Sequence, residues 1–557
     1  MVPVSMIFLK KNYQKKCRFL SAVVLLALAG CTTTQHVEKV DDQVYTILKS
    51  IEKDVFGQKS NTDFSLSDRS ASDIVNIEDI NAADIRAASE IQGEVTLTLQ
   101  EVLDYAIKSS HEYQRERESL YLTALSLNTR QDTYRISAAS GVSGELSNSS
   151  TDEESGNLEV ENSLSKALKA GTSLSLVLAN DLLKYFTGNS TYSASSVLSF
   201  NLSQPLLRGR GSEIVAENLT QSYRNVIYAL RDYSNFQVTF ANDIVISYLR
   251  LLQQQEEIQN EYNNYLSRKR NTEYLRERSV DREKPQDVRQ SEQNELLAKN
   301  RYINAQSSYE TSLDNFKIRI GMPSKTKLTL TFDDLEKIEK SGVLEVKDDQ
   351  KKAYSKALKY RLPMINKIDA FEDAKRKVKV AANALKTDLN FLASFSLGNT
   401  GNQDFERLNF KNLSSSIGLE LDLPINRRSE RATYRQALIS LDVEARGLSR
   451  EYDELINLIN LRYRQLSQFK QNYDIQQGAL VLAKTRVEGD ELALKAGTLI
   501  FSRLSESQDS LIEAQNAVTQ ALLNYLDARL NLYEDMGTLD VFMDEYWLKA
   551  NPEKTIK

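Results

Sequence analysis

The sequence predicts a mainly α protein that also carries membrane-type β strands, and three observations lead there. A stretch free of Gly and Pro runs from Ser212 to Asp281, long enough for one very long helix. Two other regions alternate apolar and polar residues at period two. The two halves of the chain repeat one order of helix, strands, long helix and return helix, and a repeat governs the whole fold assignment. Composition agrees: only 7 Pro and 20 Gly, with 27% charged and 41% hydrophobic residues, favour long packed helices over a loop-rich or all-β chain. The formal charge of -6 is spread with Lys and Arg mixed among Asp and Glu, so no nucleic acid partner is expected.

The amino terminus has the pattern of an export signal. Lys10, Lys11, Lys15, Lys16 and Arg18 precede the apolar run Phe19 to Ala29, which is too short to span a bilayer as a helix; residues 1–30 read as a signal peptide. The run ends Leu28, Ala29, Gly30, Cys31, which resembles the bacterial lipobox, where cleavage precedes the Cys and its thiol and new amino group are acylated. Several acyl chains, at about 0.8 kcal/mol per buried CH₂, hold such a protein on a membrane. The competing reading is an ordinary cleavage site with a chance Cys. With Cys17 in the signal and Cys31 lipidated, no disulfide is possible. Residues 31–93 are rich in Thr, Ser, Asp and Asn with weak periodicity, and read as a tether with at most short helical pieces.

A first structural repeat is expected over 94–323. Helical periodicity begins at Leu97, with Thr98 and Glu101 at capping-box spacing, and runs to about Arg135. Within 138–204 the period becomes two: Leu174, Leu176 and Leu178, then Leu198, Phe200 and Leu202, with weaker candidates at Val142 and Leu146 and at Leu158 and Val160. Pro205 marks the strand-to-helix corner. The long helix 212–281 keeps a seven-residue register through Tyr223, Leu230, Ile244, Leu251, Ile258 and Tyr265, interrupted by Gln237. At ~1.5 Å per residue, a helix of about 70 residues reaches on the order of 105 Å. A return helix, 287–320, ends at Gly321.

The second repeat, 324–538, predicts a helix from about Val346 to Lys386, strands over 389–399 and 414–423, and the corner Pro424. Its long helix, 429–496, keeps a heptad from Leu438 through Ala445, Tyr452, Ile459, Leu466, Tyr473, Leu480 and Val487 to Leu494. The return helix covers 502–536 and a C-terminal tail 539–557. The first copy carries an excess of 32 residues before its corner, an extra hairpin or a long outer loop.

Strands with one apolar face cannot stand alone in lipid, because open edges leave backbone groups unpaired. They must close into a barrel. Two hairpins per chain supply about four strands, fewer than the roughly 8 that membrane barrels need, so closure demands several copies. Ser199, Asn201, Glu420 and Asp422 then face a wet lumen. A water-soluble sandwich built from the same strands is the alternative.

The run Leu97, Thr98, Leu99, Gln100 before Val102 to Ile107, the run Leu202, Ser203, Gln204, Pro205, Leu206, Leu207, and Leu421, Asp422, Leu423, Pro424, Ile425 carry a further signal. In this order, with the duplicated layout, they resemble the outer membrane efflux protein family, the TolC-like channels. The resemblance implies a homotrimer with a twelve-stranded β-barrel in the outer membrane, continued through the periplasm by a long α-helical barrel. It also implies a periplasmic adaptor (membrane fusion) protein and an inner membrane pump as partners, of a tripartite efflux or type I secretion system. In that family the helix turns at the periplasmic tip form the closed aperture; here they are Asp281 to Val288 and Ala496 to Leu504. Gly497 keeps the family's Gly and Asp287 its acid, whereas Arg503 stands at the second acidic position and Glu506 follows. Asp287 and Glu506 are the candidates for a ring of carboxylates; the ordinary reading of both is a solvated helix-end charge.

No catalytic or metal constellation is legible. The 2 His, His36 and His111, lie in the tether and near a helix start, and no cofactor site follows from Arg208, Gly209, Arg210, Gly211, which read as a strand-to-helix corner. A passive export duct is therefore the leading expectation. A periplasmic coiled-coil adaptor lipoprotein is the alternative, and an enzyme on a helical scaffold the third.

Overall fold

The computed structural model describes residues 33–57, 64, 93–148, 154–185, 192–278, 285–399, 408–423, 425–496, 498, 501–549 and 551–553. The signal peptide, Cys31, Asp281, Pro424 and Gly497 lie outside them. Two units are distinguished, 1–87 and 88–557. In the first, helix α1 (Thr33–Phe56) occupies 24 residues. The expectation of at most short helical pieces in this tether is corrected: Val37, Val40, Val44, Leu48 and Ile51 recur every three or four residues, and that stripe outweighs the polar composition around it.

The second unit opens with strand β1 (Glu94–Leu97) and helices α2 (Leu99–Ser109) and α3 (His111–Asp132). Strands β2 (Ser137–Asn148), β3 (Glu154–Ala167), β4 (Ser173–Tyr185) and β5 (Tyr192–Pro205) follow. A single turn α4 (Ser212–Val215), the 62-residue α5 (Glu217–Arg278) and α6 (Pro285–Ile320) complete the first half. The second half contains β6 (Lys327–Leu330), α7 (Asp333–Ser341), α8 (Gln350–Tyr360) and α9 (Leu362–Asn383). It continues with β7 (Asp388–Asn399), β8 (Leu408–Asp422), the 68-residue α10 (Arg428–Lys495) and α11 (Phe501–Asp535).

Helix α2 starts where Thr98 and Glu101 exchange both bonds of a capping box. The single helices expected over Leu97 to Arg135 and Val346 to Lys386 are corrected to two each. Ser110 and Arg361 are extended and break them. At Arg361 the cause is partly local, since Pro363 in the first turn of α9 cannot continue α8, and at both breaks a remote glycine packs against the junction. Gly321, at φ +77 after α6, presses so close to Ser109 that a Cβ would overlap its carbonyl. Gly537, at φ +69 after α11, approaches Tyr360 so that a Cβ would lie 2.5 Å from its carbonyl oxygen. Only glycine tolerates both the backbone and the space.

These breaks let two short helices abut end to end along each long one. On α5, Tyr113 of α3 packs edge-on against Phe240 and accepts a bond from buried Gln237, the residue that interrupted the heptad. Farther along, Arg319 of α6 reaches Asp243 at 2.7 Å, Tyr302 packs at a tilt against Tyr262, and Ser291 bonds Thr272. On α10, Arg361 at the start of α9 pairs with Glu451, then Asp535 at the end of α11 with Arg462 at 2.6 Å. At ~1.5 Å per residue the two long helices extend on the order of 95 to 100 Å.

Six strands form one antiparallel sheet in the order β2-β3-β4-β5-β7-β8. The expectation of four strands per chain, and hence twelve in a trimer, is corrected in its first term. The 32-residue excess is the hairpin β2 and β3, which joins the same sheet because it carries the same alternation. Below the sheet, side-chain ion pairs bind α5 to α9. Arg224 and Arg231 engage Asp369 at 3.1 and 2.6 Å, and Arg376 joins Glu217 to Asp373.

Around the middle of the long helices, β1 pairs in parallel with β6. Tyr248 of α5 points its hydroxyl at Leu97, Thr331 and Asp334, while Asp334 also accepts from the Leu99 amide. Within the C-terminal tail 539–557, Tyr546 and Trp547 are fully buried, and Arg529 donates to the Trp547 carbonyl at 2.5 Å. Two adjacent aromatics bury enough apolar surface to hold a segment that composition alone leaves open.

Gly321→Ala should destabilise the protein by about 1–3 kcal/mol, read as a lower unfolding temperature in detergent, whereas Gly447→Ala, in open space, should not. Burial of Glu256, and then the nearby Glu339 carboxylate, raise the Glu256 pKa above its ordinary 4.5. A raised folded-state value means that Glu256 favours the fold at low pH, and this contribution is lost as pH climbs from the ordinary value through the folded one. Glu256→Gln should therefore raise the unfolding temperature at neutral pH and flatten its rise on acidification.

Candidate functional site

The sheet divides its residues by chemistry from edge to edge. Register places Ala138, Leu164, Leu176, Phe200 and Phe395 in one cross-strand row, and Leu174, Leu202, Ala393 and Ile417 in another on the same face. Phe200 and Phe395 lie 6.3 Å apart between ring centres. The opposite face carries the row Ser137, Ser165, Ser175, Asn201, Ser394, Ser416, with Ser199, Ser396 and Ser414 beside it. All four residues expected on the wet side fall on this face. Ser199 and Asn201 are followed, two strands on, by Glu420 opposite Asn390 and Asp422 opposite Asp388. Short bonds knit the polar side, Ser396 to Ser414 at 2.7 Å and Asn201 to Ser175 at 3.3 Å.

Among the described residues, nothing covers the apolar face of the outer strands. Val142 is 70% and Leu146 84% exposed on β2, and Ile417 and Leu419 are nearly as open on β8. Large apolar side chains in a contiguous patch of this size require an apolar neighbour. The strands have 12 to 15 residues, against the roughly 9–11 that cross a bilayer when tilted. Among the described residues no helix is long and apolar enough to cross a membrane.

Pro205 ends β5 as expected and pairs with Asn390. Gly209 and Gly211 then take positive φ, and the Gly209 amide donates to Asn383 at the end of α9, so this stretch is the corner that the sequence suggested.

At the far end of the helices the starts of α6 and α11 are brought side by side against α5. Ser291 of α6 bonds Thr272, one turn from Arg268 on α5, and Arg268 donates to the Ser505 carbonyl of α11 at 2.7 Å. Asp287 thus stands one helical turn before Ser291, and Glu506 follows Ser505 directly. Asp287 is half-buried in the first turn of α6, where a helix N-terminus favours an anion. Glu506 is exposed and pairs with Arg486 of α10 at 3.1 Å, while Arg503 is exposed on the same turn of α11.

Sequence reasoning missed the group behind this tip. Arg268 is 2% exposed and contacts Asp509 at 3.0 Å, which also pairs with Arg301 of α6 at 2.9 Å. Burial lowers the Arg268 pKa, opposed by Asp509. One carboxylate thus ties three helices. In the sequence these are three more charges in a mixed pattern; the only available hint was that Leu275 and Arg268 share a heptad position. His36 and His111 are both exposed.

No protein-family model matches the sequence, and no curated protein matches it. Solved structures do. The outer membrane channel CmeC of Campylobacter jejuni aligns with TM-score 0.58 at 14% identity, over 81% of this chain and 89% of that one. The open state of the outer membrane channel MtrE of Neisseria gonorrhoeae gives 0.58 and 14%, over 79% and 88%. The outer membrane protein VceC of Vibrio cholerae gives 0.57 and 12%, over 79% and 96%. At these identities the likeness is one of fold: the chain has the fold of outer membrane channels, over nearly the full length of each.

Arg268→Ala should cost about 2–4 kcal/mol, because it removes one partner of a buried pair and leaves Asp509 with Arg301 alone. Hydrogen exchange should quicken in peptides around 262–274 and 503–511 and stay unchanged in the sheet.

Proposed function

We propose that this chain is one subunit of a homotrimeric outer membrane efflux channel, a passive conduit and not an enzyme, anchored by acylation of Cys31. The observation that carries this reading is the sheet: apolar on one face, polar on the other, and paired on only one side at each end strand among the described residues. Such a sheet is stable in a bilayer only as part of a closed cylinder. Copies of the chain complete it, with lipid against Phe200 and Ile417 and water against Ser199, Asn201, Glu420 and Asp422. The helices continue the cylinder into the periplasm for on the order of 100 Å. Apolar side chains left open on α10 (Val481, Leu482, Leu492) and α6 (Leu296, Ile303) supply lateral surfaces for neighbouring copies. The described channels that share the fold favour the same reading.

The halves 94–323 and 324–538 are read as structural repeats. Supporting this, α2 and α3 have 11 and 22 residues and so have α8 and α9, while α6 and α11 have 36 and 35. Gly321 and Gly537 make the same junction in each. The tip turns, with Asp287, Gly497, Arg503 and Glu506, form the periplasmic aperture and the docking surface for an adaptor, and an inner membrane pump supplies the energy. Arg486 holds Glu506 in the single chain, so the second turn is restrained by an ion pair in place of a bare carboxylate ring. An adaptor lipoprotein would need one helical hairpin flanked by compact β domains, and this chain has two hairpins and one broad sheet.

Native mass measurement of the detergent-extracted protein should give three copies, and planar bilayers should show conductance; a monomer without conductance would refute the channel. Asp287→Ala and Glu506→Ala should raise conductance and weaken block by divalent cations, and unchanged values in both would remove these residues from the aperture. Cys31→Ser should abolish incorporation of labelled palmitate.

A further inference from the structure

The hairpin β2 and β3 has no role in a wall built from four strands per chain, yet three features place it there. The first is register. Ser137, Ser165, Ser175, Asn201, Ser394 and Ser416 form an uninterrupted row over all six strands, and together they line one hollow of about 530 Å³. A hollow bounded by residues of both end strands means that the sheet curves toward its polar side as a whole, the curvature a barrel wall needs. The second is chemistry. Val142, Leu146, Leu158, Val160 and Leu164 extend the apolar face outward, while Glu159 lies opposite Asp181 and Glu161 stands beside them on the polar face. Carboxylates on one side and bare Val and Leu on the other suit a strand with water at one face and hydrocarbon at the other.

The third is anchorage at the base. The turn joining β3 to β4 is fastened to the β5 corner: the Gly211 amide donates to the Ala170 carbonyl, Thr172 bonds Gln204, and a Cβ on Gly171 would come within 2.8 Å of both Pro205 and the Gly209 carbonyl. The hairpin therefore rises from the same rim as the other strands and not as an outlying arm.

We propose that β2 is the edge that receives β8 of a neighbouring copy, so that the wall consists of all six strands of each chain. This rests on the channel reading above and fixes its geometry. The polarity fits: in a six-strand antiparallel meander β8 runs opposite to β2, so the joint between copies continues the antiparallel order and a head-to-tail interface closes a ring. Lengths of 12 and 15 residues match well enough to pair. Three copies of six strands give an eighteen-stranded barrel, in the size range that leaves an open aqueous channel, whereas twelve would require β4 to release β3 and expose a new edge.

Disulfide scanning in the outer membrane tests this. Cysteines are placed in the full-length chain on the polar side of β2 (Ala139, Gly141 or Ser143) together with one on β8 (Ser414, Ser416 or Gly418), and a parallel set pairs β8 with β4 (Ser175 or Val177). The parent chain, with Cys17 and Cys31 only, is the control. After mild oxidation, β2 with β8 should yield a ladder of linked dimers and trimers on non-reducing gels, and β4 with β8 should stay monomeric. Ladders from β4 with β8, or none from either set in a protein whose native mass is that of a trimer, overturn the six-strand wall and leave the channel standing. A monomeric parent without conductance instead removes the channel reading itself.

Discussion

Each residue of a strand carries a backbone donor and an acceptor, and among the described residues neighbouring strands pair most of those in the sheet, whereas the outer sides of β2 and β8 have no strand beside them. Water can bond such an edge at little cost, but beside hydrocarbon each unpaired group costs several kcal/mol. The same sheet presents Leu176, Phe200, Phe395 and Ile417 on one face, surface that water does not favour. The two demands meet only when the edges are paired and the apolar face is turned outward. In the proposed channel this accounts for the hollow on the serine-rich side and for the further copies that complete the wall.

The helices answer a different problem. A helix on the order of 100 Å long has far more lateral surface than one chain can cover, and its register must still be unique. Leu230, Ile244 and Leu251 bury against neighbours along α5, but register is also marked by polar groups that fit in one place only: Gln237 on the Tyr113 hydroxyl, Thr272 on Ser291, Arg268 on Ser505 and Asp509. Buried polar contacts contribute little net stability compared with apolar packing, and slipping the helix by one turn would leave each of them unpaired. At the sheet end the ionic cluster of Arg224, Arg231, Arg376, Glu217, Asp369 and Asp373 ties α5 to α9 and so aligns β5 with β7 above them. The middle collar around Tyr248 and Trp547 is densely buried in the conventional way.

Much of this was legible in the chain before any coordinates. The alternation from Leu174 to Leu178 and from Leu198 to Leu202 located β4 and β5, the Gly- and Pro-free stretch located α5, and Thr98 with Glu101 located the start of α2. Ser199, Asn201, Glu420 and Asp422 were assigned to one face by parity, and register agrees. Parity needs no partner, since side chains alternate along any strand. The misses have different causes. Gly321 arrives at the Ser110 break from remote sequence, whereas the break at Arg361 also has a local mark, Pro363 in the first turn of α9. Tyr546 and Trp547 pack against helices that no local window contains.

By itself the sequence determined the long helices, the main strands, their order and the chemistry of each strand face, because helix and strand periods and the rarity of Gly and Pro are local properties of the chain. The tertiary structure alone decided that β2 and β3 belong to the same sheet as the other four strands, that Arg268 and Arg301 share Asp509, and that Asp287 and Glu506 lie at one end together. Those facts depend on which surfaces meet across hundreds of residues, and the energy of such a meeting resides in register, burial and desolvation, none of which is a property of any single segment.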